Sequence, residues 1–312
     1  MTFAGRYLPL PLLAALFTVV AWASAFVVIR STGEHFTAGP MALGRLLVGS
    51  AVLGTVAVAR RVAVPRGRTL ALVGMYGVLW FGGYTVAVTL AERHLDAGTT
   101  ALLVNIGPIL VAVLAGVLLR EGFPPMLMLG VAVSFLGAAV IAFGAASHAQ
   151  ADLAGVLLAV LAAVLYSIGV VSQKLALAGT EPLAATTFGA LFGTLVCLPF
   201  APGLVHEVAV SPARSTLGVV YLGLVSTAAA FLAWAYALKH TSAGVTASST
   251  YLVPMLSIVL SGIFLGEVPT VWGYAGGMLC LVGVAISRVP SRYFRVPFRQ
   301  HPSEVSCPPP AA

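Results

Sequence analysis

The sequence predicts an all-α integral membrane protein: ten transmembrane helices in two inverted five-helix repeats. Three observations carry that expectation. Of 312 residues, 60% are apolar and only 8% charged, whereas a soluble domain averages about 25% charged. So few charges cannot cover a water-facing surface, and the solvent must be largely lipid. The segment Glu92–Gly144 recurs as Leu238–Pro290, 146 positions later and without a gap. The basic residues, finally, concentrate in the loops of one side of the membrane, as orientation demands.

The repeat rests on residue types that apolar helices do not share by accident. His94/His240, Ala97/Ala243, Gly98/Gly244, Thr100/Thr246, Pro108/Pro254, Glu121/Glu267, Gly130/Gly276 and Gly137/Gly283 all match in one register. It extends back through Gly77/Gly223 and Ala91/Ala237, and more loosely to Trp22/Tyr166 and Arg30/Lys174. The repeat therefore covers five helices. Two copies of one unit in a membrane chain are the common plan of secondary transporters.

A crossing needs about 20 apolar residues. The first run is Leu8–Ile29. Its Arg6 and Ala23-Ser24-Ala25 imitate a signal peptide, but the run continues through Phe26–Ile29, beyond the roughly 7–15 residues of a signal core. It is read as a retained helix. The second run, Pro40–Ala59, carries Arg45, and the third, Thr69–Ala91, carries Trp80, Phe81 and Tyr84. The fourth, Thr99–Leu119, holds Asn105 and Pro108, and the fifth is Met126–Ala145. A polar strip, 147–152, separates the halves. The second set follows: Leu153–Leu175 with Tyr166, Ala184–Phe200, Thr216–Leu238 with Trp234, Val245–Leu265 with Thr250, Tyr251 and Pro254, and Trp272–Ser287. The expected units are thus residues 1–146 and 153–288. Residues 289–312 form a basic, proline-rich tail ending in Cys-Pro-Pro-Pro-Ala-Ala, a composition that cannot build a core and is expected to be disordered.

With the N-terminus inside, most of the 16 Lys and Arg fall on the cytoplasmic side: Arg6, the Arg60–Arg68 group, Arg120, Lys174, Lys239 and the tail arginines. Arg30, Arg93 and Arg214 fall outside. Nine crossings, or the reverse orientation, would place basic segments on the wrong side. Both termini are therefore expected in the cytoplasm. The net charge of +7 is explained by orientation and by contact of the tail with anionic lipid, and calls for no nucleic acid.

Two five-helix units, Trp22-Ala23-Ser24-Ala25-Phe26 in the first helix, Arg45 in the second, the Pro108/Pro254 pair and the endings Leu119-Arg120-Glu121 and Leu265-Gly266-Glu267 resemble the EamA-type transporters of the drug/metabolite transporter superfamily. The likeness covers residues 8–288. It implies a central cavity between pseudosymmetric halves that works by alternating access. Relatives of that type mostly export amino acids, other metabolites or drugs across the bacterial inner membrane, and some carry sugars or nucleotide-linked compounds inward.

Particular residues are candidates for the cavity. A proline inside a helix removes one backbone hydrogen bond and crowds the preceding turn. Pro108 and Pro254 therefore predict paired helix breaks, with Asn105, Thr250 and Tyr251 beside them, as at transporter sites. Arg45 is the one formally charged residue well inside a span, a costly placement that is usually functional, and it favours a carboxylate or phosphate on the cargo. A snorkelling or carbonyl-bonded structural arginine is the alternative. Trp22, Tyr84, Tyr166 and Trp234 are the aromatic candidates, against a packing role. All nine carboxylates are expected in loops, helix ends or the tail, with Glu121 and Glu267 bonding their local backbone. The membrane-embedded glutamate of small multidrug members is lacking, and coupling to a proton or another ion is left open, as is a homodimer. The Cys197, Cys280 and Cys307 spacing predicts no disulfide, metal site or cofactor. No hydrolase, zinc or phosphate-loop motif is present, which argues against an enzyme. A membrane scaffold or receptor is the competing class, disfavoured by short loops.

Overall fold

The computed structural model describes residues 10–91, 94, 103–145, 153–265 and 271–289. Among them every regular element is helical. In lipid the backbone must satisfy its own hydrogen bonds, and a helix does so within one segment. The first half of the chain contributes α1 (Leu10–Thr32), α2 (Ala38–Ala59), α3 (Gly67–Tyr76), a π-helical turn pair Gly77–Tyr84, α4 (Thr85–Ala91), α5 (Gly107–Leu118) and α6 (Pro125–Ala145). The second contributes α7 (Leu153–Ala176), α8 (Pro182–Cys197), a short 3-10 turn Leu198–Phe200, α9 (Ala201–Val210) and α10 (Ala213–Tyr221). A π-helical segment Leu222–Ala229, α11 (Ala230–His240), α12 (Ala243–Ser248), the 3-10 turn Ser249–Tyr251, α13 (Leu252–Leu265) and α14 (Val271–Ser287) complete it.

Among the described residues, six helices are long and apolar enough to cross a membrane: those beginning at Leu10, Ala38, Gly67, Leu153, Pro182 and Ala213. Gly107–Leu118, Pro125–Val140 and Val271–Ser287 are shorter apolar helices. The fourth expected run is described from residue 103 onward, and in it and in the ninth the helix is interrupted ahead of the proline, at Asn105–Ile106 and Ser249–Tyr251. A second departure lies after Phe200. Residues 201–210, expected as a loop, are α9, and Glu207 sits on it. Both oxygens of that carboxylate are used at the N-cap of α2, accepting from Thr37 N at 3.0 Å and Thr37 Oγ1 at 2.7 Å. The N-terminal residues, the 147–152 strip, Glu267 and the tail from 290 onward lie outside the described residues.

Repeat-equivalent residues meet one another. Ser134 Oγ donates to Cys280 O and Cys280 Sγ to Ser134 O, both at 3.4 Å. Around that pair Gly130 abuts Gly283 and Gly137 abuts Gly276, so α6 and α14 cross antiparallel. A Cβ on Gly137 would lie 2.6 Å from Cys280 N and Gly276 O. The absence of side chains allows this backbone approach, as at small-residue interfaces in membranes. A second equivalent pair also touches: Tyr251 Oη donates to Asn105 O at 3.0 Å.

The π segments occupy matching places in the two halves, and each packs on the other half. A Cβ on Gly49 of α2 would meet Gly223 O at 3.2 Å, and one on Gly193 of α8 would meet Gly77 O at 3.3 Å. Leu10, Val58, Leu157 and Val205 remain exposed around the outside. Such an apolar surface suits a lipid solvent and would be a liability in water.

Candidate functional site

The helices are interrupted at Asn105–Ile106 and at Ser249–Tyr251, and each proline stands in the first turn of the helix that follows. Pro108 is in the first turn of α5, after a turn at Asn105–Ile106. Pro254 is the third residue of α13, after the 3-10 turn. A first-turn proline loses little, since its N–H would have no partner within the helix anyway. The break between α12 and α13 is stabilised by its own hydroxyls. Ser248 Oγ donates to Val245 O, Ser249 Oγ to Thr246 O and Thr250 Oγ1 to Ala247 O, each three residues back. Consecutive hydroxyls thus cap the carbonyls that the tightening backbone leaves behind. Ser248 Oγ also meets Ser287 Oγ at 3.0 Å.

Arg45 sits half-buried on α2 and donates from Nε to Thr227 Oγ1 at 3.0 Å. Thr227 belongs to the π segment of the other repeat, so the arginine joins the halves through a neutral partner. Tyr84 is its electrostatic neighbour. The Tyr84 ring lies 6.1 Å from Tyr166, whose hydroxyl approaches Thr250 without a hydrogen bond of ordinary geometry. Arg45, Tyr84, Tyr166 and Thr250 therefore form one connected row.

The other aromatic candidates pack into a cluster. Trp22 lies 5.2 Å from Trp234 and 6.1 Å from Trp80, and Trp80 lies 5.0 Å from Tyr166. The equivalents Trp22 and Tyr166 thus converge on Trp80. Phe231 joins at 5.1 Å from both Trp22 and Trp80. Trp22 Nε1 donates to Ser226 O at 3.2 Å, and Trp234 Nε1 to Gln173 Oε1 at 3.1 Å. Trp234 and Tyr251 are 0% exposed, so in this conformation they are core rather than lining. Three buried polar atoms in this region have no partner: Tyr76 Oη, Tyr166 Oη and Gln173 Nε2. An unsatisfied buried group costs about 1–3 kcal/mol.

Trp80, Phe231, Gln173 and Thr227 take part although sequence reasoning did not select them as site residues. Trp80 had a signal, being a mid-span aromatic in the same run as Tyr84. Gln173 and Thr227 had none beyond being polar within apolar runs.

Several ties gather at the ends of α7, α11 and α12. Lys174 Nζ donates to Leu238 O and Thr241 O. Glu121 was expected to bond its local backbone; instead both its oxygens accept from Ala243 N at 2.9 Å, at the start of α12 in the other repeat. The cause is geometric. Leu119 ends α5, and Arg120 and Gly122 take positive φ of 56° and 72°. That turns the chain so that Glu121 reaches across. His240, the last residue of α11, is exposed and bonds Tyr236 O. Among the described residues no three His, Cys, Asp or Glu side chains come together as a metal site would require.

The EamA-like transporter family model matches residues 9–143 and 153–289. The chain is 36% identical over 273 residues to a probable terminal-alkyne amino-acid exporter of Streptantibioticus cattleyicolor, covering 88% of this chain and 91% of that one. It is 34% identical to the uncharacterized transporter YdfC of Bacillus subtilis, covering 85% and 87%. A solved protein crystal structure superposes with a TM-score of 0.76 at 20% identity, over 90% of this chain and 98% of that one. At that identity it speaks for the fold alone.

Proposed function

The chain belongs to the EamA-like transporter family, and from that premise we propose that it exports amino acids or related small metabolites across the bacterial inner membrane. That it is a multi-pass membrane transporter for a small molecule, and not an enzyme, follows from the family and the apolar helices. The finer reading has ten crossings, two oppositely oriented units at 1–146 and 153–288, both termini in the cytoplasm, and alternating access. A relative described as an amino-acid exporter supports the cargo class.

The observation that carries the reading is the antiparallel meeting of repeat equivalents at Ser134/Cys280 and Asn105/Tyr251. Two copies of one unit related by such an axis can exchange conformations, so that what closes one side in one state closes the other side in the next. In the proposed orientation the Lys174 and Glu121 ties and the Trp22–Trp80–Trp234 cluster close the cytoplasmic half. Arg45, Tyr84, Tyr166 and Thr250, with Asn105 and Tyr251 behind them, are the groups that contact cargo as that cluster separates. The orphaned Tyr76, Tyr166 and Gln173 atoms gain partners in the opened state. Pro108 and Pro254 fix where the helices break. A thermal-shift screen of the purified protein with amino acids, sugars and cationic drugs, followed by flux in proteoliposomes, tests this. Stabilisation by amino acids together with their flux is expected. Stabilisation and flux with sugars or cations alone would replace the cargo.

A further inference from the structure

The C-terminal half of α1, the length of α10 and the end of α13 line a cleft of about 470 Å³. That volume lies within the roughly 300–1,000 Å³ of small-molecule sites. Next to Ser24, Trp22 Nε1 donates to Ser226 O at 3.2 Å and Ser257 Oγ to Ala23 O at 3.4 Å, which ties α1 to the π segment and to α13.

The chemistry of its wall is specific. Ser24 Oγ donates its hydrogen to Ala21 O at 2.9 Å, so Tyr221 Oη, 2.8 Å away, must be the donor to Ser24. Ser31 Oγ likewise donates to Val28 O. A hydroxyl has one hydrogen and two lone pairs, so Ser24, Ser31 and Tyr221 keep acceptor capacity for a donor in the cleft. Arg214 supplies a positive charge one turn above Gly218, the residue facing Thr32. Leu260 and Phe264 supply an apolar wall, and no lining residue is acidic. A lone cation would meet Arg214 with no carboxylate to hold it.

We propose that this cleft is an outer binding site for an amino acid with an apolar side chain. The carboxylate bonds Arg214, the ammonium bonds the hydroxyl oxygens of Ser24, Ser31 and Tyr221, and the side chain lies against Leu260 and Phe264. That the site releases cargo rather than captures it rests on the exporter reading above; binding itself does not.

Calorimetric titration of the purified full chain tests it with three probes of one skeleton: L-leucine, 4-methylpentanoate and 3-methylbutylamine. Leucine is expected to bind at least about tenfold tighter than either fragment. Arg214→Gln weakens leucine about tenfold and leaves the amine unchanged, and Arg214→Lys recovers part of the loss. Ser24→Ala weakens leucine but not 4-methylpentanoate. As a second readout, Ser31→Cys in whole cells is labelled by a membrane-impermeant maleimide, and leucine protects it. Unchanged leucine binding in both variants, absence of leucine binding to folded wild-type protein, or labelling that leucine does not slow would each overturn the site. Cleft binding without flux would instead overturn the exporter reading and leave the site standing. Flux with binding unaltered in both variants would do the reverse.

Discussion

Arg45 bonds Thr227 Oγ1 and, among the described residues, no carboxylate, so the role proposed for its charge is to meet an anionic group of the cargo. Arg45→Ala should lower amino-acid affinity by at least about tenfold with folded yield retained. Arg45→Lys should recover part of it, because an ammonium supplies the charge without the planar fork. Titration against melting separates the two roles: lost folding with unchanged affinity among survivors makes Arg45 structural. Tyr76 gives a sharper contrast. Its buried hydroxyl has no partner, so Tyr76→Phe should raise the melting temperature by relieving about 1–3 kcal/mol of desolvation. Flux should fall, since the hydroxyl is satisfied in the opened state. Equal flux would make the orphaned hydroxyl a packing accident. Arg45 was legible because a charge inside an apolar run stands out in any sequence. Gln173 and Thr227 were not, because a single polar residue on a long helix announces neither the face it occupies nor its partner across 61 or 182 positions.

The paired breaks are elements that the sequence located and the structure redefined. The Pro108/Pro254 match marked the register, but periodicity alone could not show that each proline opens a new helix instead of bending an old one. The energetic expectation changes with it. An interior proline costs about 3 kcal/mol, whereas a first-turn proline is well tolerated. Pro108→Ala and Pro254→Ala should therefore shift the melting temperature little while reducing flux, as the fixed φ that holds the break is lost. Normal flux in both would confine the breaks to packing. The π segments at Gly77–Tyr84 and Leu222–Ala229 had no sequence signature, since a π turn keeps the apolar composition of the helix around it. Such segments recur at functional sites, and here each packs on the second helix of the opposite half. α9 was hidden by Pro199, Pro202, His206 and Glu207, which read as loop until Glu207 is seen capping α2.

At the scale of the whole molecule, composition and the 146-residue register made the fold class legible, because lipid as solvent leaves few architectures open. What the sequence could not supply is the meeting of equivalents, Ser134 on Cys280 and Asn105 on Tyr251, which depends on how the two units dock. Orientation is testable directly. A reporter active only in the cytoplasm should work when fused after Arg299 or within 60–68, and fail within 147–152. Activity in that strip would break the ten-crossing reading. The central claim is that two oppositely oriented units carry a solute by alternating access, and counterflow tests it most directly. Proteoliposomes loaded with unlabelled L-leucine should take up external labelled L-leucine faster than empty ones, with the acceleration lost in Arg45→Ala. A protein that binds leucine yet shows no accelerated exchange would contradict the account and point to a receptor or scaffold instead.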